Sequence, residues 1–326
     1  MSGLSVIIPT HHRLESIRRL IHSISLQKID FNLVEVIIIS NFKDRALEDY
    51  ILHHQFPFKI LLDTTHQQGV NIARNRGVTH AVYDLLLFLD DDVEMDSRDY
   101  LQHILLLDWS TGVAAIGGQY VLNSQASVID QVYHQIAMGW FMDQDFSQNK
   151  VLLLGGNTVY NYYLLGKELQ FDESIVFGGA ETELNLRLLS KGYQLSYHPQ
   201  MNLIHNTSLN FSSFVKKAYL QGRGKGLAGE QMAKDHFLSE PRGFVPSFLY
   251  LIYRDFFYLG KCLAMRKTEA LIGFFIYLLK WRIVPLPLAL ILICLGLFFP
   301  LPLVGISVIY IEYWNEFLKR AGLKII

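Results

Sequence analysis

The amino-acid sequence predicts an α/β fold built on a mainly parallel sheet, followed by a helical, membrane-associated C-terminal region. Three observations carry this expectation. Short apolar runs alternate with amphipathic segments as far as about His205. One of these runs, Leu85-Leu86-Leu87-Phe88-Leu89, stops abruptly in Asp90-Asp91-Asp92, and beyond about Phe244 the composition shifts to dense Phe, Tyr, Leu and Ile. Strand-like runs alternating with helix-like segments are the pattern of βαβ units. A continuous apolar run with turn residues at its end is a strand buried on both faces.

Taken in order, Leu4 to Pro9 reads as a strand, Leu14 to Leu26 as a helix, Val34 to Ser40 as a strand and Arg45 to His54 as a helix. Phe58 to Leu62 is the next strand, Gly69 to Val82 the next helix, and the strand ending at Asp90 follows. Such a strand delivers its acids to the rim of the sheet, where α/β folds place their sites. Three adjacent acids repel one another, and a fold that holds them together calls for a counter-charge, a divalent cation being the obvious one. One helix upstream, Arg74 suits pairing with a phosphate or with these acids. Downstream, Val151 to Leu154 reads as a strand ending in the turn Gly155-Gly156-Asn157, whose backbone can approach a ligand. Glu181 and Glu183 open a helix running through Asn185 to Ser190, and His205 closes the short apolar run Met201 to Ile204.

Composition limits the function classes. The chain has 326 residues and a net charge of −1, long enough for a full core and a second region. It lacks the basic excess of a nucleic-acid binder, so no nucleic-acid partner is expected. Cys262 and Cys294 lie in apolar surroundings with neither disulfide nor metal-site spacing, which fits a reducing compartment. Ser5 to Ile8 is too short for a signal-peptide core, so the catalytic part is expected in the cytoplasm.

Three regions follow: a catalytic domain at 1–210, a basic, glycine-rich flap or linker at 211–243, and a helical membrane-associated region at 244–326. The middle region carries Lys216, Lys217, Arg223 and Lys225 among Gly222, Gly224 and Gly226. In the last, 283–311 carries no charge, a span exceeding the roughly 20 residues that cross a bilayer. Pro285, Pro287, Pro300 and Pro302 interrupt it, and basic residues lie on both sides, which favours a hairpin or re-entrant segment over a single span. Phe244 to Met265 is too interrupted to span, leaving an interfacial helix or ordinary packing under the catalytic domain. Between the acidic run and Gly155, the aromatic group Tyr133, His134, Trp140 and Phe141 offers faces on which a sugar ring can stack.

The ordered set of motifs resembles the family 2 glycosyltransferases of GT-A fold, membrane-associated bacterial type. The likeness covers Val6-Ile7-Ile8-Pro9-Thr10 with Arg13, Ala73-Arg74-Asn75, the Asp-x-Asp run, Gly155-Gly156-Asn157, Glu181-Thr182-Glu183-Leu184 before Arg187, and His205. It implies a GT-A nucleotide-diphospho-sugar transferase fold and a metal-dependent, inverting hexosyltransferase-like activity in polysaccharide biosynthesis. The implied cofactor is Mg²⁺ or Mn²⁺, ligated by Asp92 with Asp90 and His205. The implied partners are a nucleotide-diphosphate sugar donor, a glycan or lipid-linked acceptor, and membrane lipid at the cytoplasmic face. By the same resemblance Pro9, Thr10, Arg13, Ser40, Arg74, Asp90 and Asp91 line the donor pocket. Glu181 takes the place of the general base with Glu183 as its rival, and Trp140, Gly155, Gly156 and Asn157 face the acceptor. Two positions depart from the family pattern: Ser40 stands where an Asp usually contacts the base of the nucleotide, and Ala180-Glu181 replaces Glu-Asp. The alternatives at this point are a phosphatase, a nucleotidyltransferase, and a catalytically inactive, membrane-tethered sugar-binding module.

Overall fold

The computed structural model describes residues 3–109, 112–142, 144–175, 179–227 and 244–265. The chain runs β1 (Leu4–Thr10), α1 (Leu14–Ser25), β2 (Val34–Ser40), α2 (Arg45–His53), β3 (Lys59–Thr64), α3 (Val70–His80), β4 (Leu85–Leu89) and β5 (Val93–Met95). It continues with α4 (Tyr100–Leu106), β6 (Val113–Leu122), α5 (Val128–Met142), β7 (Asn157–Asn161), α6 (Tyr162–Leu165), α7 (Ala180–Ser190) and β8 (Gln194–His205). Helices α8 (Phe211–Leu227) and α9 (Phe244–Met265) follow.

The strands form one sheet in the order β3-β2-β1-β4-β7-β6-β8-β5. From β3 to β4 every pairing is parallel. β1, β2 and β4 are buried along their whole length, which is why β4 is a continuous apolar run, while β3 at the edge is partly exposed. Leu85, Leu87 and Leu89 join Val6 and Ile8 of β1 in one core, where α1 contributes Ile17, Leu20, Ile21 and Ile24. That spacing is the apolar stripe of an amphipathic helix. Leu86 and Phe88 point to the other side, with Ile7 and with Leu184 and Leu188 of α7.

The expectation of a mainly parallel sheet holds for this half and fails beyond it. β7 runs antiparallel to both β4 and β6, and β5 is antiparallel to β8, while β6 and β8 are parallel. The reversal starts at the glycine turn, because Asn157 is registered against Leu89 and Asn161 against Leu85. A strand that begins where β4 ends must run back along it. For the same reason the strand follows Gly155-Gly156 instead of preceding them. Val151–Leu154 are buried or nearly so but form no strand, and Gln144 holds Leu152 by accepting from its N–H at 2.7 Å and donating to its carbonyl at 2.9 Å.

A third cluster joins α5, α8 and α9 through Val132, Tyr133, Ile136, Phe214, Ala218, Tyr253 and Phe257. Within the expected flap or linker at 211–243, residues 228–243 lie outside the described residues, and Phe211–Leu227 is a helix packed into this cluster. Its Gly222 lets α9 come so close that any side chain there would collide with the Phe257 carbonyl, and Gly260 meets the Tyr219 carbonyl in the same way. Phe244–Met265 packs against α5 and α8, and it leaves Phe256 and Leu263 exposed. No helix among the described residues is long and apolar enough to cross a membrane. The apolar segment 283–311 lies outside the described residues.

Candidate functional site

A cavity of about 460 Å³ opens at the C-terminal ends of β1 and β4 and is roofed by α5, α8 and α9. Its volume lies in the range of small-molecule sites. Pro9, Thr10, Arg13, Arg74, Asp90, Asp91, Asp92, Trp140, Gly155, Glu181 and His205 all line it. These residues come from segments far apart in the chain, and the sheet topology gathers them.

The three acids have three different surroundings. Asp91 is buried; its carboxylate accepts from Thr10 Oγ1 at 2.7 Å and from Arg13 Nη1 at 3.0 Å, tying the end of β4 to the loop after β1. Burial pushes its pKa up to about 6 despite the Arg13 charge. Asp92 has the opposite outcome. Burial opposes its charge, yet the hydrogen bond and charge of His205, with Lys217 and Arg13 behind, hold its carboxyl well below the usual range. Its Oδ2 accepts from Arg13 at 2.8 Å, and its Oδ1 lies 3.4 Å from His205 Nε2. Strand register creates that last contact: His205 pairs with Val93, and Asn206 N–H donates to the Asp92 carbonyl at 2.8 Å.

Asp90 faces inward. Its carboxylate accepts from Arg74 Nη2 at 3.4 Å and from Tyr120 Oη at 3.1 Å, and its N–H donates to the Gly156 carbonyl. Arg74 then links two clusters of chemistry, since its Nη1 stands 3.9 Å from Glu181 Oε2. Its guanidinium is 4% exposed, lies over the Phe171 ring, and has Nε and Nη1 without a hydrogen-bond partner. Buried guanidinium N–H groups without acceptors are costly, and these stand at a cavity that can supply anionic oxygens. Asn71 and Asn75, on the same helix as Arg74, hold the loop carrying Phe171: Asn71 Nδ2 donates to the Asp172 carbonyl at 2.6 Å and Asn75 Nδ2 to the Phe171 carbonyl at 2.9 Å.

Five of the residues expected at the site have other work. Glu183 turns from the cavity and accepts from Arg187 Nε at 2.8 Å, because residues two apart on a helix point to different faces. Glu181 alone of the pair reaches the cavity. Asn157 is fully buried; its Oδ1 accepts from Tyr100 Oη at 2.5 Å, and its Nδ2 donates to the carbonyls of Gln119 and Met201, fastening three strands. Gly156 lies under Asp90, where any Cβ would strike the carboxyl group. Ser40 is buried and donates to the Phe42 carbonyl, while its neighbour Asn41 lines the cavity and donates to the carbonyls of Gln67 and Gly69. Phe141 also leaves the expected aromatic wall for the core.

The structure adds Tyr120 and Gln221, which sequence reasoning missed, and places Lys217, Lys225 and His134, which it had named, at the cavity. Tyr120 holds Asp90, and burial followed by the Asp90 and Asp92 charges pushes its phenol well above its ordinary range. Lys217, Gln221 and Lys225 line the cavity as one stripe of α8. Their spacing of four was the available signal, since it marks one helix face. The exposed Lys216 and Arg223 point elsewhere. Lys217 Nζ lies 4.3 Å from the centre of the Tyr133 ring; burial opposes its charge, but Tyr133 and Asp92 raise its pKa overall. Burial, assisted by His205, lowers the pKa of His134. Among the described residues no three His, Cys, Asp or Glu side chains converge to hold an ion by themselves.

Residues 5–164 match the family model described as glycosyl transferase family 2. Among curated proteins, the chain is 23% identical over 250 residues to a dolichyl N-acetyl-alpha-D-glucosaminyl phosphate 3-beta-D-2,3-diacetamido-2,3-dideoxy-beta-D-glucuronosyltransferase of Methanococcus voltae, spanning 70% of this chain and 74% of that protein. It is 26% identical over 229 residues to glycosyltransferase AglE of Haloferax volcanii, spanning 68% and 72%. Among solved structures, a mannosyltransferase from Pyrobaculum calidifontis, PcManGT in complex with GDP-Man and Mn²⁺, superposes with a TM-score of 0.56 at 14% identity, over 91% of this chain and 81% of that one. At that identity the likeness is one of fold.

Proposed function

We propose that this chain acts as a family 2 glycosyltransferase, moving a sugar from a nucleotide-diphosphate donor to a glycan or lipid-linked acceptor with inversion. The observation that carries this reading is the bridge at Arg74, which sets Asp90 at the rim of the sheet and Glu181 at the start of α7 within one cavity. The first belongs to the diphosphate side and the second to the acceptor side.

Single displacement needs one base opposite the departing diphosphate. Glu181 is that base, taking the proton of the acceptor hydroxyl as its oxygen attacks the anomeric carbon. Arg74 brings N–H groups in need of acceptors to the oxygens of the diphosphate, and Arg13 and Lys217 add fixed positive charge around it. Thr10 and Asp91 hold Arg13 in place.

The residues fit Mg²⁺ or Mn²⁺. These cations take hard oxygen ligands, often one or two carboxylates plus substrate phosphates; Asp92 offers such a carboxylate, with the nitrogen of His205 3.4 Å away. Asp92 and His205 would hold the ion, with Asp90 nearby. When bound, it would supply charge stabilisation to the leaving diphosphate. The uncharged segment 283–311 supports work at a membrane, which we place at the cytoplasmic face.

The test is turnover of a panel of nucleotide sugars with Mn²⁺ by the wild type, Asp92→Asn and Glu181→Gln. We expect one donor to be consumed and both variants to lose at least about a hundred-fold in kcat/KM. Glu181→Gln should still bind nucleoside diphosphate. Undiminished turnover by Glu181→Gln would remove it as the base.

A further inference from the structure

The two edges of the sheet differ. β5 is three residues long, whereas β3 runs for six without a proline or a bulge, and no strand among the described residues lies on its outer side. An edge of that length is a template for pairing, which most proteins blunt. The Thr65 N–H donates to the Ser40 carbonyl, and the register with β2 is unbroken from Lys59 to Thr64. Backbone groups alternate along a strand, so those of Lys59, Leu61 and Asp63 face β2 while the N–H and C=O groups of Ile60, Leu62 and Thr64 point outward. Asp63 Oδ1 already caps the Thr64 N–H at 2.7 Å. Ile60 and Leu62 therefore carry the open positions.

The side chains give this edge a symmetry. Lys59-Ile60-Leu61-Leu62-Asp63 carries opposite charges at equal distances from Leu61, with apolar residues between. Leu61 is 38% exposed, and Lys59, also exposed, has no ion pair or hydrogen bond among the described residues. We infer that β3 pairs antiparallel with β3 of a second copy of this chain, about a two-fold axis at Leu61. In that register Ile60 of each copy forms a hydrogen-bonded pair with Leu62 of the other. Leu61 meets Leu61, and Lys59 of each copy lies opposite Asp63 of the other, in non-hydrogen-bonded pairs whose Cα atoms approach to about 4.5 Å. Asp63 has room for that lysine: its Oδ2 is held by Arg76 and His80, while its Oδ1 takes the Thr64 N–H and keeps a lone pair. A slip of one residue sets outward backbone groups against inward ones, and a slip of two sets Leu61 against Lys59 or Asp63. Self-complementarity of this kind is what a two-fold interface requires.

Sedimentation of the full-length protein in detergent tests this, with the wild type expected to be dimeric. Leu61→Lys and Leu61→Glu each set like charges together at the axis and should weaken association at least about ten-fold. Mixed in equal amounts, the two variants should dimerise again, because only the pairing of residue 61 with residue 61 places lysine opposite glutamate. Melting curves identify a variant that has failed to fold. Leu61→Cys gives a second reading: oxidation should link its chains to each other above the background that Cys262 and Cys294 give in the wild type, since facing residues of a non-hydrogen-bonded pair lie within disulfide reach. A wild type still monomeric at about 0.1 mM, undiminished dimer in the folded charged variants, a mixture that stays monomeric, or no cross-link above background in Leu61→Cys would each overturn the inference.

Discussion

At the scale of single residues, neighbours in sequence part company in role. Asp91 is the buried anchor between β4 and the loop after β1. Asp90 and Asp92 are the more open of the three where they line the cavity. Glycine positions are equally specific. In Gly156→Ala the new methyl must displace the Asp90 carboxyl, the movable end of a side chain, so the protein should fold with a stability cost of about 1 kcal/mol or less. Its KM for the donor should rise several-fold, and a donor titration alongside a melting curve checks both halves of that expectation. The acids and His205 are readable in the sequence because a buried strand that ends in charge must bring that charge to the rim of the sheet. Glu181 and Glu183 are harder to separate there, although the helical period alone turns residues two apart by about 200°. Tyr120 gives no signal, since a tyrosine near the end of a half-apolar strand looks like any core aromatic.

At the scale of elements, β3 and α3 are joined by an acid that also sets a pH limit. Asp63 Oδ2 lies 2.6 Å from both Arg76 Nε and His80 Nε2. Burial opposes its charge, but these two partners and the Thr64 N–H hold its pKa down to about 2. A depressed carboxylate pKa gives stability that is present above the unfolded value near 4 and is lost as pH falls from there through 2. Because Asp63 is a quarter exposed, solvent screening leaves about 1 kcal/mol. Asp63→Asn should be less stable by that amount at pH 7 and equal to the wild type near pH 2, as measured by urea unfolding across the range. The α8–α9 crossing makes a second prediction. Gly222→Ala sets a methyl against backbone, which cannot swing aside, so the helices must separate at a cost of about 1–3 kcal/mol. Denaturant midpoints report that loss. Residues 211–227 read as a flap in the sequence because glycines among lysines resemble a loop; in the fold those glycines serve the contact between helices.

At the scale of the molecule, the site lies where the sheet changes character. In the parallel half, β1, β2 and β4 are legible because strands buried on both faces are written as largely apolar runs. The other half is not, since β6 and β8 are partly exposed and shift register between Gly117 and Gln119. Chain segments from both halves meet at the cavity, so a ligand that fills it clamps the two together. A nucleoside diphosphate at a hundred-fold excess over its Kd should therefore stabilise the fold by about 2.7 kcal/mol. A thermal melt should show this as a rise of several degrees in Tm, smaller in Asp92→Asn.

The loop before α7 is fastened by Asn71 and Asn75, about a hundred positions earlier in the chain. Contacts of such separation form late in folding, after the local ones are complete. Synthesis also proceeds from the N-terminus, so β1 to β4 and α3 exist before Glu181 has left the ribosome. The two sides of the cavity are thus made at different times. The acids and Arg74 can be in place on a half-made chain, and Glu181 arrives only when the far loop closes onto a helix that has been waiting for it.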